Sequence, residues 1–163
     1  MVAAVVLGAD QFTKFLIVSN LDAGERLSVL GELIQFVFVN NSGAAFSLAS
    51  GYTWIFSIAA SAVTVFIVLF AHRIRSLAWA MLFGMLLGGT LGNLLDRLFR
   101  EPSFGLGHVV DFIQVWGFPA IFNVADIFIV SSMGLFIILS IRGVRLDGTR
   151  EAAVDPDTVP EAK

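Results

Sequence analysis

Two aspartates stand fifteen positions apart in a strongly apolar chain: Asp111 in His108-Val-Val-Asp-Phe-Ile113, and Asp126 in Phe122-Asn-Val-Ala-Asp-Ile127. An ionisable group at membrane depth costs at least roughly 2.5–3.5 kcal/mol, so it is rarely kept without a use. Two such acids meeting near one interface have a specific chemistry open to them. They can share a proton and activate a water, one as general base and the other as general acid. Either acid alone has an ordinary explanation, Asp111 as a loop acid and Asp126 as a helix-start acid favoured by the macrodipole. Their company argues against that. Asn123 precedes Asp126 by three positions, and Asp10, Asn93 and Asp96 fall in the same polar layer. An Asp111–Asp126 dyad is the expected active site.

The surrounding polar residues have two readings each. Asp10 and Lys14 are four apart, hence on one helical face; they form either an anchor that orients the first helix or a prop for the site. Asn93 and Asp96, three apart near the end of an apolar run, read as a polar site wall, while Asp96 and Arg97 also suit an interfacial ion pair. Asn41-Ser-Gly-Ala-Ala-Phe46 is either a turn into the next span or a small-residue surface along which an extended peptide lies. Gly84, Gly88 and Gly92 recur every fourth residue with Gly89 beside them, a pattern that lets helix backbones approach closely. No GxGxxG fingerprint is present, so no phosphate cradle is implied.

Composition says what must position these groups. The chain has 163 residues, 57% of them hydrophobic and 14% charged, with mean hydropathy +0.87. Soluble domains run at about 45–50% apolar and about 25% charged, so this is an integral membrane protein forming one domain. There is no cysteine and hence neither a disulfide nor a thiolate site, and two histidines argue against zinc. No cofactor is expected. The net charge of −3 forms no single patch, and nucleic acid is not suggested.

The expected class is an all-α membrane protein of four transmembrane helices with a small sheet. Spans are expected at about 1–18, 54–71, 77–95 and 121–141, within one membrane domain over 1–142. In the first span Asp10 and Lys14 pair while Val5, Val6, Phe12, Phe15 and Leu16 face elsewhere; with both charges and no basic leader, it is not a cleavable signal peptide. The span starts close to Asp10, so a turn or two of that helix is expected to be missing. Basic residues divide five to four, Arg73, Arg75, Arg142, Arg145 and Arg150 against Lys14, Arg26, Arg97 and Arg100. The short acid-free connector Ala71–Ser76 decides the orientation, with both termini cytoplasmic and the segments 20–50 and 98–120 outside. Leu33–Val39 and His108–Val115 read as strands of a sheet at the outer face. The tail 143–163 is polar and is expected to be disordered.

With these blocks in view, the chain resembles the bacterial lipoprotein signal peptidases, or signal peptidase II. The matching blocks are Asp10-Gln-Phe-Thr-Lys14, Asn41-Ser-Gly-Ala-Ala-Phe46, Gly88-Gly-Thr-Leu-Gly-Asn-Leu-Leu-Asp-Arg97, Val109-Val-Asp-Phe112 and Phe122-Asn-Val-Ala-Asp126, in the family's order. The resemblance implies a membrane aspartic endopeptidase of the bacterial cytoplasmic membrane. Such enzymes remove the signal peptide from diacylglyceryl-modified prolipoproteins just before the lipidated cysteine, working against membrane lipid. It also implies an extracytoplasmic β-cradle and inhibition by cyclic peptides such as globomycin. The family's catalytic dyad maps onto Asp111 and Asp126; its substrate-binding or supporting residues map onto Asp10, Lys14, Asn41, Gly43, Gly89, Asn93, Asp96, Arg97, Asn123 and Ala125. One departure is the segment Leu98–His108, which is longer than the family's usual connection. Competing readings are a proton-relay transporter, which the one-ended clustering of acids and the lack of a repeat disfavour, and a non-enzymatic scaffold or lipid-binding protein.

Overall fold

The computed structural model describes residues 1–43 and 52–149. Ala44, Ala45 and Phe46 of the small-residue block, and residues 150–163, lie outside the described residues. Four helices form the bundle: α1 (Val2–Asn20), α2 (Thr53–Phe70), α3 (Leu77–Phe99) and α4 (Val124–Ile141). Each is long and apolar enough to cross a bilayer. Between α1 and α2 run strands β1 (Arg26–Leu30) and β2 (Ile34–Asn41); between α3 and α4 run β3 (Val109–Val115) and β4 (Ile121–Phe122). They form one antiparallel sheet in the order β1-β2-β3-β4.

The side-chain distribution is the reverse of a water-soluble protein. Phe12, Phe15, Ile58, Phe66, Leu69, Val130 and Ile137 are exposed on the bundle, while Asp10, Lys14, Asp96 and Asn123 are buried inside it. An apolar exterior of this extent is stable only against lipid. The protein is a multi-pass membrane protein.

Helix α3 packs against all three other helices, and its glycines are what let it. A side-chain carbon at Gly84 or Gly88 would run into Val2 or Val6 of α1 at 2.8 and 2.6 Å; one at Gly89 would meet the Ala125 carbonyl of α4 at 2.6 Å. Every-fourth-residue spacing puts Gly84 and Gly88 on one face and leaves Gly89 for the next. The glycine pattern is a packing device. Val6 is therefore not turned away from the bundle as expected: it is 2% exposed, because it fills the groove opened by Gly88.

Two further expectations are corrected. Ile121 and Phe122 do not begin the fourth span but pair with Gln114 and Ile113 as β4, since the backbone there still has sheet partners. Residues 143–149 are not a loose tail. The Leu146 carbonyl accepts from the backbone N–H of Arg75 and Ser76 at 3.0 Å each, and the Val144 carbonyl accepts from Trp79 Nε1 at 2.9 Å. These bonds satisfy donors around the start of α3, among them the N-cap amide of Ser76, which the helix itself cannot. Strand β1, which the sequence reading passed over, is exposed along its whole length; its Arg26-Leu-Ser-Val29 alternation is a strand signal, but only four residues long.

Gly88→Val should lower stability by about 1–3 kcal/mol through overpacking. Gly134→Ala, whose added carbon meets nothing within 4 Å, should change it little. Thermal unfolding of the two variants in detergent checks the contrast.

Candidate active site

The site is organised by the start of α4. Asn123 is the N-cap: its Oδ1 accepts the Asp126 N–H at 3.0 Å, and Asp126 Oδ2 accepts the Asn123 N–H at 3.1 Å, a reciprocal capping box. Because this cap is an amide, its Nδ2 remains available as a donor. It donates to Asp111 Oδ1 at 2.7 Å and to Asn93 Oδ1 at 3.1 Å. One residue thus holds both acids, the Asp111 carboxyl through its side chain and the Asp126 carboxyl through its backbone N–H.

Sheet register brings in the next residue. Asp111 pairs with Val39, and Asn41 lies two positions along β2, so both side chains leave the same face. Asn41 Nδ2 donates to Asp111 Oδ2 at 2.7 Å, and its Oδ1 accepts the Gly43 N–H at 3.0 Å. Asn93 Nδ2 donates to Asp126 Oδ1 at 2.8 Å. Each oxygen of both acids therefore has a donor, and the two acids line a single cavity of about 600 Å³. Its polar end is Asn41, Gly43, Asn93, Arg97 and the acids; Ile127 and Val130 extend an apolar wall along α4.

Beneath the acids lies a buried charge network. Lys14 Nζ, with no exposure, sits 2.9 Å from Asp10 Oδ2, 2.7 Å from Asp96 Oδ2 and 3.0 Å from Asn93 Oδ1, which uses all three of its protons. The two carboxylates also reach the backbone. Asp10 Oδ1 accepts the Ala125 N–H at 2.9 Å, and Asp96 Oδ2 accepts the Val110 N–H at 3.2 Å. Ala125 and Val110 are the residues immediately before Asp126 and Asp111. The Asp10–Lys14–Asp96 triad therefore fixes the backbone next to each acid. Gly92 allows it, because a side-chain carbon there would collide with Asp10 Oδ2.

The expected site residues come together, with one pairing corrected. Asp96 does not pair with Arg97 but with Lys14 and with Arg100 Nε at 2.7 Å. Adjacent helical positions point about 100° apart, so Asp96 faces α1 and Arg97 turns the other way. Arg97 Nη2 donates to the Gly43 carbonyl at 2.6 Å, its guanidinium lies over the Phe56 ring at 5.2 Å, and its Nη1 is buried without a hydrogen-bond partner among the described residues. Sequence reasoning missed Gln11, whose Nε2 donates to Asp10, Asp96 and the Gly92 carbonyl, and also Arg100. Gln11 adjoins Asp10, but nothing in its type marks it out. Arg100 is four residues after Asp96, a spacing that could have found it.

Burial is the largest influence on Asp111 in its strand. It pushes the carboxyl from 3.8 up to about 6, with the charge of Asp126 adding and the amides of Asn41 and Asn123 opposing. In the folded protein Asp111 thus holds a proton into the near-neutral range.

The known proteins that this chain resembles bear on what the cavity does. A family described as signal peptidase (SPase) II matches residues 2–142. The chain belongs to the signal peptidase II family. The lipoprotein signal peptidase of Leifsonia xyli is 59% identical over 151 residues, 93% of this chain and 70% of that protein. That of Rhodococcus jostii is 43% identical over 151 residues, 93% of this chain and 76% of that protein. A bacterial membrane enzyme solved by the in meso method at 2.3 Å resolution superposes with a TM-score of 0.78 and 28% identity, over 94% of this chain and 92% of that one. Membership of this family makes the chain a protease, which sets aside the transporter and scaffold readings.

Two outcomes are expected. Lys14→Met leaves two buried carboxylates without their shared cation and should destabilise the fold by about 3–5 kcal/mol, read as a lower unfolding midpoint. Asp111 binds its proton more tightly folded than unfolded, so its contribution to stability declines as the pH rises from about 4 to about 6 and is constant above. A change from 3.8 to about 6 is worth roughly 3 kcal/mol. The difference in midpoint between wild type and Asp111→Asn should move against wild type by that order over this window and then level off.

Proposed function

We propose that this protease is an aspartic endopeptidase that cleaves diacylglyceryl-modified prolipoproteins just before the lipidated cysteine, with Asp111 and Asp126 as its catalytic pair. The observation that carries the reading is Asn123, which bonds both acids in the cavity that they share: its side-chain amide donates to the Asp111 carboxyl and its backbone N–H to the Asp126 carboxyl. Two neighbouring carboxyls in a buried site do not both ionise readily, so one keeps its proton. The charged partner takes a proton from water as that water attacks the scissile carbonyl. The protonated partner polarises the carbonyl and then delivers its proton to the leaving amine.

The supporting residues take distinct parts. Asn41, Asn93 and Asn123 orient the two carboxyls, while Asp10, Lys14, Asp96 and Ala125 hold the backbone and side chains behind them. Gly89 and Gly43 keep space at the helix contact and the cavity rim. Arg97 Nη1, a buried donor with no partner among the described residues, offers a hydrogen bond to a carbonyl of the bound peptide. The apolar wall of Ile127 and Val130 suits the lipid-embedded part of the substrate, and the same cavity would accept a cyclic peptide such as globomycin. Arg73 and Arg75 lie in the tight α2–α3 connector, at the end of the bundle away from the site. That supports cytoplasmic termini and an extracytoplasmic active site.

A gel-shift assay on a diacylglyceryl-modified precursor tests the reading. Wild type should convert it, whereas Asp111→Asn and Asp126→Asn should each lose roughly 10²–10⁴-fold in rate while unfolding at temperatures typical of a folded protein. Near-normal turnover in either variant would refute the pair.

A further inference from the structure

The long connection between α3 and β3 builds a second cleft, separate from the one described. It has a volume of about 480 Å³ and is lined by Val18, Asn40, Phe99, Arg100, Glu101 and His108 among others. Val18 and Phe99 lie near the ends of α1 and α3 and are exposed on the apolar exterior, Phe99 more than Val18. Phe104 packs edge-on against Phe99 with centroids 6.0 Å apart.

The polar side of this cleft is preorganised. Arg100 Nε donates to buried Asp96 at 2.7 Å, with the Arg100 side chain itself 29% exposed. The guanidinium is therefore gripped by one edge, and its two Nη nitrogens have no partner among the described residues. The backbone N–H of His108 donates to the Glu101 carbonyl at 3.0 Å, which closes the connection and brings half-buried His108 into the lining of the same cleft as Arg100. A fixed guanidinium edge with a neighbouring imidazole matches the paired oxygens of a phosphodiester. Exposed Glu101 at the rim opposes a dianion such as free phosphate but tolerates a single negative charge. The apolar wall requires that this charge be carried on hydrocarbon chains.

We propose that this cleft holds the headgroup of a membrane phospholipid, its phosphodiester bonded by Arg100 and His108 and its acyl chains lying against Val18 and Phe99. The site is distinct from the peptidase cavity, yet Arg100 joins the two, because the carboxylate that grips it is the one that holds Lys14 and the Val110 N–H.

The test is native mass spectrometry of the full chain, delipidated in dodecyl maltoside and titrated with dioleoylphosphatidylglycerol. One phospholipid should bind in preference to further copies. His108→Gln and Arg100→Gln should each weaken that binding by about ten-fold, the scale of one hydrogen bond to a charged group. Dioleoylglycerol, which lacks the phosphate, should not be retained, and glycerol 3-phosphate should not compete. Asp111→Asn should bind the phospholipid as wild type does, so the outcome is independent of the cleavage assay. Should Arg100→Gln fail to fold for want of a partner to Asp96, His108→Gln, whose side chain makes no hydrogen bond to the buried network among the described residues, carries the comparison. Unchanged binding in a folded His108→Gln protein, equal retention of dioleoylglycerol, or displacement by glycerol 3-phosphate would each overturn the proposal.

Discussion

The structure depends on a single ammonium group out of reach of both water and lipid. Lys14 lies between Asp10 and Asp96 with no exposure, where an unpaired charge of either sign would cost several kcal/mol. That cost makes the arrangement all-or-none. Helix α1 cannot rotate or slide on α3 without stranding a charge, so the contact fixes register as well as proximity. The carboxylates then pass that register to the backbone, Asp10 through Ala125 on α4 and Asp96 through Val110 on β3. Two elements far apart in sequence are thereby referred to one cation.

This explains why so small a bundle holds a polar cavity at all. In lipid the hydrophobic effect does not drive helices together, so close packing and internal hydrogen bonds must do so. The glycines of α3 supply the first, and the asparagine and aspartate cluster supplies the second. The polar groups are both the adhesive and the candidate chemistry. A membrane bundle can combine those roles because its polar residues have nowhere else to go.

Much of this was legible in the sequence, for identifiable reasons. The Asp10–Lys14 spacing allows only a same-face pair on a helix, and the two meet at 2.9 Å. The Asn123–Asp126 spacing matches a helix cap, and the fourfold glycine repeat announces a close helix contact. Other features depend on tertiary arrangement and leave no local trace. Asp96 chooses Lys14 and Arg100 over its neighbour Arg97 only because α1 lies on that side. Ile121 and Phe122 look like the start of a span, because a two-residue strand in an apolar run has no signature of its own. Residues 143–149 read as polar tail, yet they dock because the start of α3 needs acceptors.

The cap of α4 carries a consequence for how this position can vary over time. Serine, threonine or aspartate would begin the helix about as well as asparagine. Aspartate has no proton to offer, and a hydroxyl has only one on a shorter arm, so neither matches the two hydrogens that the amide directs to Asp111 and Asn93. Folding alone would therefore let residue 123 drift among four amino acids, whereas the cavity admits one. An amide at this place among natural variants reports on the hydrogen bonds of the cavity and not on the helix.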